Sequence, residues 1–468
     1  MSPTPPDGPE ITVSARAQAE AVPEPQAPGA VAFGEALRYW FKLGCISFGG
    51  PAGQIALMHE ELVERRRWIS EGRFLHALNY CMVLPGPEAQ QLATYIGWLL
   101  HGVKGGIAAG ALFVLPSLVL MIALSWLYVV AGTLPAVQGV LAGIKPAVIA
   151  IVVVTGWRIA SRSIRHPAAW AVAVSAFVAT TVLHVSFPVI IGLAALAGWL
   201  GARRWPGSFG AGAGHTRAGQ RSGGYLIDDD SPVPAHAKGS RGWLAMMVAI
   251  AVMLGLGVYA LLALVAPIGS TTLTDMARFF TSAALLTFGG AYAVLPYVVQ
   301  GAVDHYGWLS ATQIIDGLAL GETTPGPLIM IVAFVGFLGG WAQQASGLGG
   351  ALGSGIAGAV VATFFTFLPS FVFILAGGPL VERTRDNLNV GAPLAGISAA
   401  VVGVIASMAL YFGQHVLWPE GMSGRFNGVA AVIAVAAAIA LLSGKATVIR
   451  VILACAVSGW LLGAAGLL

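Results

Sequence analysis

The feature that most constrains this chain is a set of short phrases used twice at a fixed distance. Ser47-Phe48-Gly49-Gly50-Pro51, Trp68-Ile69-Ser70 and Pro85-Gly86-Pro87 return as Thr287-Phe288-Gly289-Gly290-Ala291, Trp308-Leu309-Ser310 and Pro325-Gly326-Pro327. Each return lies 240 residues on: 48 to 288, 68 to 308, 85 to 325. Pro116-Ser117 and Gly143-Ile144 return as Pro369-Ser370 and Gly396-Ile397, now at an offset of 253. The second copy therefore carries about 13 extra residues, placed in the Gly-, Gln- and Ser-rich stretch 341–355. A duplication of this kind decides the architecture, because each copy must adopt the same local fold.

The class follows from what fills the copies. Hydrophobic residues make up 57% of the chain and charged residues 9%, against roughly 25% charged in a soluble domain. Apolar runs such as 107–130, 136–157, 243–267, 356–378 and 391–412 are long enough to cross a hydrocarbon layer of about 30 Å as helices. The alternation of a β-barrel is absent. The reading is an all-α, polytopic membrane protein. The net charge of +4 sits in loops, which points to membrane topology and away from a nucleic-acid partner. Cys45, Cys81 and Cys455 lie in apolar segments without CxxC spacing and read as packing residues. The nine histidines show no metal-ligand spacing, so neither a metal nor a cofactor is expected.

In chain order, residues 1–30 read as a disordered tail without the layout of a secretory signal. Residues 31–202 form the first repeat, 203–242 a polar linker with the cluster Asp228-Asp229-Asp230, 243–267 one unpaired span, and 268–468 the second repeat. Cytoplasmic loops carry the Lys/Arg excess. Loop 59–73 holds Arg65, Arg66, Arg67 and Arg73, while its counterpart 301–311 has no Lys or Arg. Loop 129–135 has none, while its counterpart 382–388 has Arg383 and Arg385. Corresponding loops thus change sides. This predicts two inverted-topology repeats joined by the single helix 243–267, with the linker cytoplasmic.

The same rule requires residues 74–100 to enter and return on one side, as half-helices 74–84 and 87–100 meeting at Pro85-Gly86-Pro87. Residues 33–48 and 51–65 read as a second hairpin of this kind. Pro51 and Pro87 then mark helix starts. Helix N-termini offer free N–H groups and about half a positive charge, and glycine beside them permits close approach. Four such ends aimed at one centre suit a tetrahedral oxyanion. The expected binding set is Ser47, Gly49, Gly50, Pro51, Gly86, Pro87, Thr287, Gly289, Gly290, Gly326 and Pro327, with the Ser47 and Thr287 hydroxyls as added donors. Lys145, in mid-span, is expected to face a cavity or a partner and to join this site, since a central lysine is costly. Its counterpart is Ser398. Arg38 and Lys42 read as entrance residues, Trp68 and Trp308 as interfacial anchors. Glu88 and Glu322, beside the two Pro-Gly-Pro breaks, are candidates for proton coupling.

At these residues the chain resembles a known family. Phe48 to Pro51, the Glu64–Trp68 loop, Leu84 to Gln91, Phe113 to Pro116 and Gly321 to Pro327 look like those of the chromate ion transporters, in their long two-domain form. The resemblance covers about residues 33–468. It implies export of chromate across a bacterial inner membrane and chromate resistance, with sulfate as the natural competitor. The second copy departs from the first at Ala291 for Pro51 and Leu328 for Glu88. An anion channel, or a carrier for sulfate or another oxyanion, stays open as an alternative, and so does a homodimer. No nucleophile with a base and no carboxylate cluster is visible, so no enzyme is expected.

Overall fold

The computed structural model describes residues 28–48, 50–204, 224–229, 231, 241–266, 270–344, 349–381 and 391–466. Most of the expected tail, Gly49, and the loop holding Arg383 and Arg385 lie outside the described residues. The chain is all-α, and among the described residues the only β-pairing is an isolated bridge between Ile69 and Ile227. The first repeat contains α1 (Phe33–Ile46), α2 (Gly50–His59), α3 (Glu71–Val83), α4 (Glu88–Ala131), α5 (Pro135–Ser163), α6 (Pro167–Thr181) and α7 (Phe187–Arg204). Helix α8 (Arg241–Val265) joins it to the second. There follow α9 (Thr272–Leu285), α10 (Ala291–Val299), α11 (Ala311–Thr323), α12 (Ile331–Gln343), α13 (Gly350–Val381), α14 (Gly391–Leu417), α15 (Gly428–Leu442) and α16 (Val448–Ala464). Helices α4, α5, α7, α8, α13 and α14 are long and apolar enough to cross a membrane. This is a polytopic membrane protein.

The repeat extends to single hydrogen bonds. Helices α2 and α10 each end in a π-helical turn, Glu60–Arg65 and Gln300–His305. Beyond each turn the Trp N–H bonds back in the same way, Trp68 to the Leu62 carbonyl and Trp308 to the Ala302 carbonyl, both at 2.8 Å. The residue before each Trp has positive φ, Arg67 at 52° and Gly307 at 60°. Ser70 and Ser310 then cap α3 and α11, the latter in a capping box with Gln313. Both tryptophans are buried, at 3% and 4% exposure. That corrects their expected role as interfacial anchors. Trp68 lies under Tyr39 and Arg66, and Trp308 stacks on Tyr306 and Phe280.

Each break turns the chain back on itself. In the second repeat Gly317 of α11 lies against Phe334 of α12, and Gly321 lies beside Ile331. Phe279 of α9 stacks on Tyr297 of α10. In the first repeat Glu35 and Tyr39 of α1 meet Arg66, beyond the end of α2. Tyr80 of α3 donates to the Phe373 carbonyl, while Trp98 of α4 lies against Gly378, so both legs of that hairpin run along the same half of α13. Helix α4 kinks at His101 and Gly102. Its two parts then pack antiparallel, with Gly97 on Gly105 and Gly110 on Thr94. Small residues permit such close backbone approach. In the second repeat the turn is longer, from Gln343 to Gly350, which is where the extra residues were expected.

The repeats exchange elements. Gly143 of α5 crosses Gly459 of α16, and Gly396 of α14 crosses Gly198 of α7. Hairpin α3–α4 of the first repeat lies along the C-terminal half of α13. Hairpin α11–α12 of the second lies along the C-terminal half of α4, where Tyr128 meets Asp316 and Phe334. The linker reads from sequence as polar, with an Asp228-Asp229-Asp230 cluster. Its described part, 224–229 and 231, is bound to loop 67–73. Leu226 and Ile227 N–H donate to the Arg67 and Trp68 carbonyls, Ser70 donates to Asp229, and Arg73 donates to the Asp228 and Ser231 carbonyls.

Candidate functional site

The four breaks meet in two pairs, each pair taking one break from each repeat. The Gly86 N–H donates to the Thr287 carbonyl at 2.7 Å, and the Gly326 N–H donates to the Ser47 carbonyl at 2.8 Å. These two bonds are the same bond under exchange of the repeats. Each joins a Pro-Gly-Pro break to the Ser/Thr-Phe-Gly-Gly break of the other repeat. Gly86 and Gly326 hold φ of 130° and 103°, which favours glycine strongly. A Cβ on Gly86 would strike Ser370 and Gln91, and a Cβ on Gly326 would strike Ser117. Ser117 and Ser370 are themselves counterparts, each following the helical prolines Pro116 and Pro369.

The amides of Gly86 and Gly326 themselves are used between the repeats. Helix α4 still starts beside Pro87, and α2 starts at Gly50 with Pro51 in its first turn. The first-turn amides beyond these starts have no acceptor within their own helices. Space is open elsewhere: a Cβ on Gly289 or Gly290 would meet nothing within 4 Å, although both have positive φ. At Gly50, the counterpart of Gly290, Leu328 comes within 3.2 Å of the Cβ position. Leu328 stands where the first repeat has Glu88.

Several polar atoms around the centre have nothing to bind. Ser47 Oγ, Ser117 Oγ, Gln90 Oε1 and Gln91 Oε1 are buried and have no hydrogen-bond partner. All four residues are fully buried. Such orphans are rare and call for a ligand or water. The Thr287 hydroxyl, by contrast, donates to the Ala283 carbonyl. The two expected hydroxyl donors are therefore not equivalent. Gln91 Nε2 donates to the Pro85 carbonyl and Gln54 Nε2 to the Gly326 carbonyl, so two glutamines brace the Pro-Gly-Pro breaks.

Lys145 has a partner. Its Nζ lies 3.5 Å from Asp316 Oδ1, and Tyr128 OH donates to Asp316 Oδ2 at 2.9 Å. The structure pairs Lys145 with a carboxylate of the other repeat, ten residues before Gly326 in sequence. Glu322 is buried and accepts from Tyr292 OH. Glu88 is half-buried at the start of α4. Among the described residues no group of His, Cys, Asp or Glu is placed to hold a metal, and all three cysteines are free. The sequence reading missed Ser117, Ser370, Gln54, Gln91, Asp316 and Tyr128. The Pro-Ser repeat was the one available signal for the two serines. Asp316 had none, because its counterpart is His76.

The comparisons with known proteins identify the family. The family described as "Chromate transporter" matches residues 34–199 and 274–460. A "Chromate transport protein" of Pseudomonas aeruginosa is 31% identical over 448 residues, covering 95% of both chains. One of the same name from Cupriavidus metallidurans is 28% identical over 380 residues, 81% of this chain and 82% of the other. A "Probable chromate transport protein" of Synechococcus elongatus is 28% identical over 382 residues, 81% and 84%. No solved structure matches.

Proposed function

Given that the chain belongs to the chromate transporter family, we propose that it is a secondary carrier that exports chromate, or an isosteric oxyanion such as sulfate, across a bacterial inner membrane. The observation that carries this reading is the centre itself. Four chain breaks, two from each repeat, are tied by a reciprocal pair of backbone bonds around buried hydroxyl and amide atoms that lack partners. Helix starts and free hydroxyls are the groups that recognise an anion with many acceptor oxygens.

The repeats are taken to be inverted in the membrane, with the centre near the midplane. The hairpins α3–α4 and α11–α12 lie along the C-terminal halves of α13 and α4. Those two helices run antiparallel, with Gly106 on Leu375 and Gly110 on Phe371. This supports the reading, and so does the charge contrast between loops 59–73 and 301–311. The linker is then cytoplasmic. Ser47 and Ser117 are assigned as hydroxyl donors to the ion. The space beside Gly289 and Gly290 is assigned as its place, with first-turn amides nearby. Pseudo-symmetry puts Glu88 opposite that space, as Leu328 lies opposite Gly50. There, and at Glu322, a proton taken up would offset the charge of a departing anion. Lys145 and Asp316 bridge the repeats and are assigned as the element that changes partner when they rock.

Export can then run without ATP. A dianion leaving uncompensated from a cell that is negative inside gains about 4.6 kcal/mol per 100 mV, and about half that if one proton leaves with it. The test is chromate uptake into inverted vesicles, with sulfate as competitor and with the pH gradient and the membrane potential collapsed separately. Saturable uptake that sulfate inhibits and that falls with the potential is expected. A linear, unsaturable conductance would make the protein a channel, and absence of uptake would remove chromate as substrate.

A further inference from the structure

Two lateral grooves lie outside the centre, and they are counterparts. The larger, about 530 Å³, runs between α8, α9 and α13. The other, about 490 Å³, runs between α1 and the second part of α4. Ala277, Arg278, Thr281 and Phe365 line the first, and Leu37, Arg38, Phe41 and Leu112 line the second. These eight residues are four repeat-related pairs, at offsets of 240 on the first helix and 253 on the later one. In both grooves the charged residue is an arginine at the same register.

Both arginines are exposed, and among the described residues neither forms an ion pair. Arg278 lies over the Tyr259 ring at 5.3 Å, and the nearby Asp275 accepts from the Thr271 hydroxyl. Arg38 has the exposed Lys42 one turn on, and Arg278 has Ser282 at that register. Each arginine precedes its chain break by nine residues, Arg38 to Ser47 and Arg278 to Thr287. At 1.5 Å per residue that is about 14 Å along the helix. Half a hydrocarbon layer is about 15 Å. With the centre at the midplane, as proposed above, both guanidiniums reach the boundary where lipid phosphates lie, and the apolar grooves lie on its hydrocarbon side. A free anion would have no use for such walls.

We propose that these grooves are a pair of anionic phospholipid sites, one in each leaflet. Each holds an acyl chain against α9–α13 or α1–α4, with the phosphate on Arg278 or Arg38. In the larger groove the chain reaches Pro369, whose neighbour Ser370 adjoins Gly86. Lipid occupancy is thereby one residue from the centre.

The test is native mass spectrometry of the full chain in detergent, incubated with phosphatidylglycerol or with phosphatidylcholine of the same acyl chains. It does not depend on chromate transport, so it stands or falls apart from the functional reading. Two phosphatidylglycerols are expected to be retained, about tenfold better than phosphatidylcholine. Arg278→Gln should lose one, Arg38→Gln the other, and Arg278→Lys should keep both. Gly255→Phe tests the groove itself. Gly255 faces it with only Leu368 near its Cβ position, at 3.4 Å. This variant should lose the same lipid as Arg278→Gln, which also serves if the arginine variant does not fold. Equal retention of the two lipids, retention by the double glutamine variant, displacement by inorganic phosphate, or full retention by Gly255→Phe would each overturn the proposal.

Discussion

Separating Lys145 from Asp316 tests whether the bridge between repeats is part of transport or only of stability. The pair is 3.5 Å apart, with side chains 24% and 3% exposed. At an effective dielectric constant of about 20 their attraction is about 5 kcal/mol. Removing one partner of a buried pair costs about 3–5 kcal/mol, because the other charge is left alone. The two single changes are unequal. Lys145→Ala strands a carboxylate that keeps only the Tyr128 hydroxyl, so about 3 kcal/mol of stability should go. Asp316→Ala strands a lysine that is partly solvated, and about 2 kcal/mol should go after allowance for screening. Lys145→Met with Asp316→Leu leaves no bare charge and should melt within about 1 kcal/mol of wild type. Thermal unfolding in detergent and chromate uptake into vesicles are measured on the same preparations. The double variant is expected to be stable and inactive. If it transports chromate as wild type does, the pair is a structural tie and Lys145 has no part in moving the ion. If the single variants melt like wild type, the coupling argument itself is wrong.

Three further outcomes are expected. Gly86→Ala and Gly326→Ala each combine positive φ with a blocked Cβ position, so each should lose more than the roughly 1–3 kcal/mol of backbone strain alone. Gly289→Ala, with open space, should lose about that strain and no more, as read from melting curves. Ser47→Ala and Ser117→Ala should each weaken chromate binding by about 1.5–3 kcal/mol, roughly tenfold or more, with unchanged melting. Thr287→Ala should have a smaller effect, because its hydroxyl already donates to the Ala283 carbonyl of α9. Single cysteines at Arg65 and His305, both exposed, should react from opposite faces of the membrane with an impermeant reagent. Reaction from one face would end the inverted topology.

The twice-used phrases made most of the helix order readable, including the hairpins, because glycine and proline punctuate a chain locally. What crosses between repeats was not readable. A glycine ahead of a helix start looks the same whether its N–H faces an ion or a carbonyl 201 residues on, as with Gly86 and Thr287. Lys145 is costly in an apolar span, which marks it. Its partner left no periodic trace, since the counterparts of Lys145 and Asp316 are Ser398 and His76. Trp68 was misplaced for a similar reason. An aromatic residue beside three arginines suggests a membrane surface, and only the folded loop shows Arg66 laid over its ring.

The reciprocal glycine bonds have a consequence for how the protein is made. When the first repeat leaves the ribosome, the Gly86 amide lacks its partner and the Ser47 carbonyl has only the Gln54 side chain, at 3.4 Å. Their partners in the other repeat, Thr287 and Gly326, are more than 200 residues behind. At about 5–20 residues per second that wait is roughly 10–50 s. For that interval a newly inserted half carries a bare backbone amide at its centre, where lipid offers it nothing. The half-made chain needs water, another polypeptide or a membrane insertase around that point until its second half arrives.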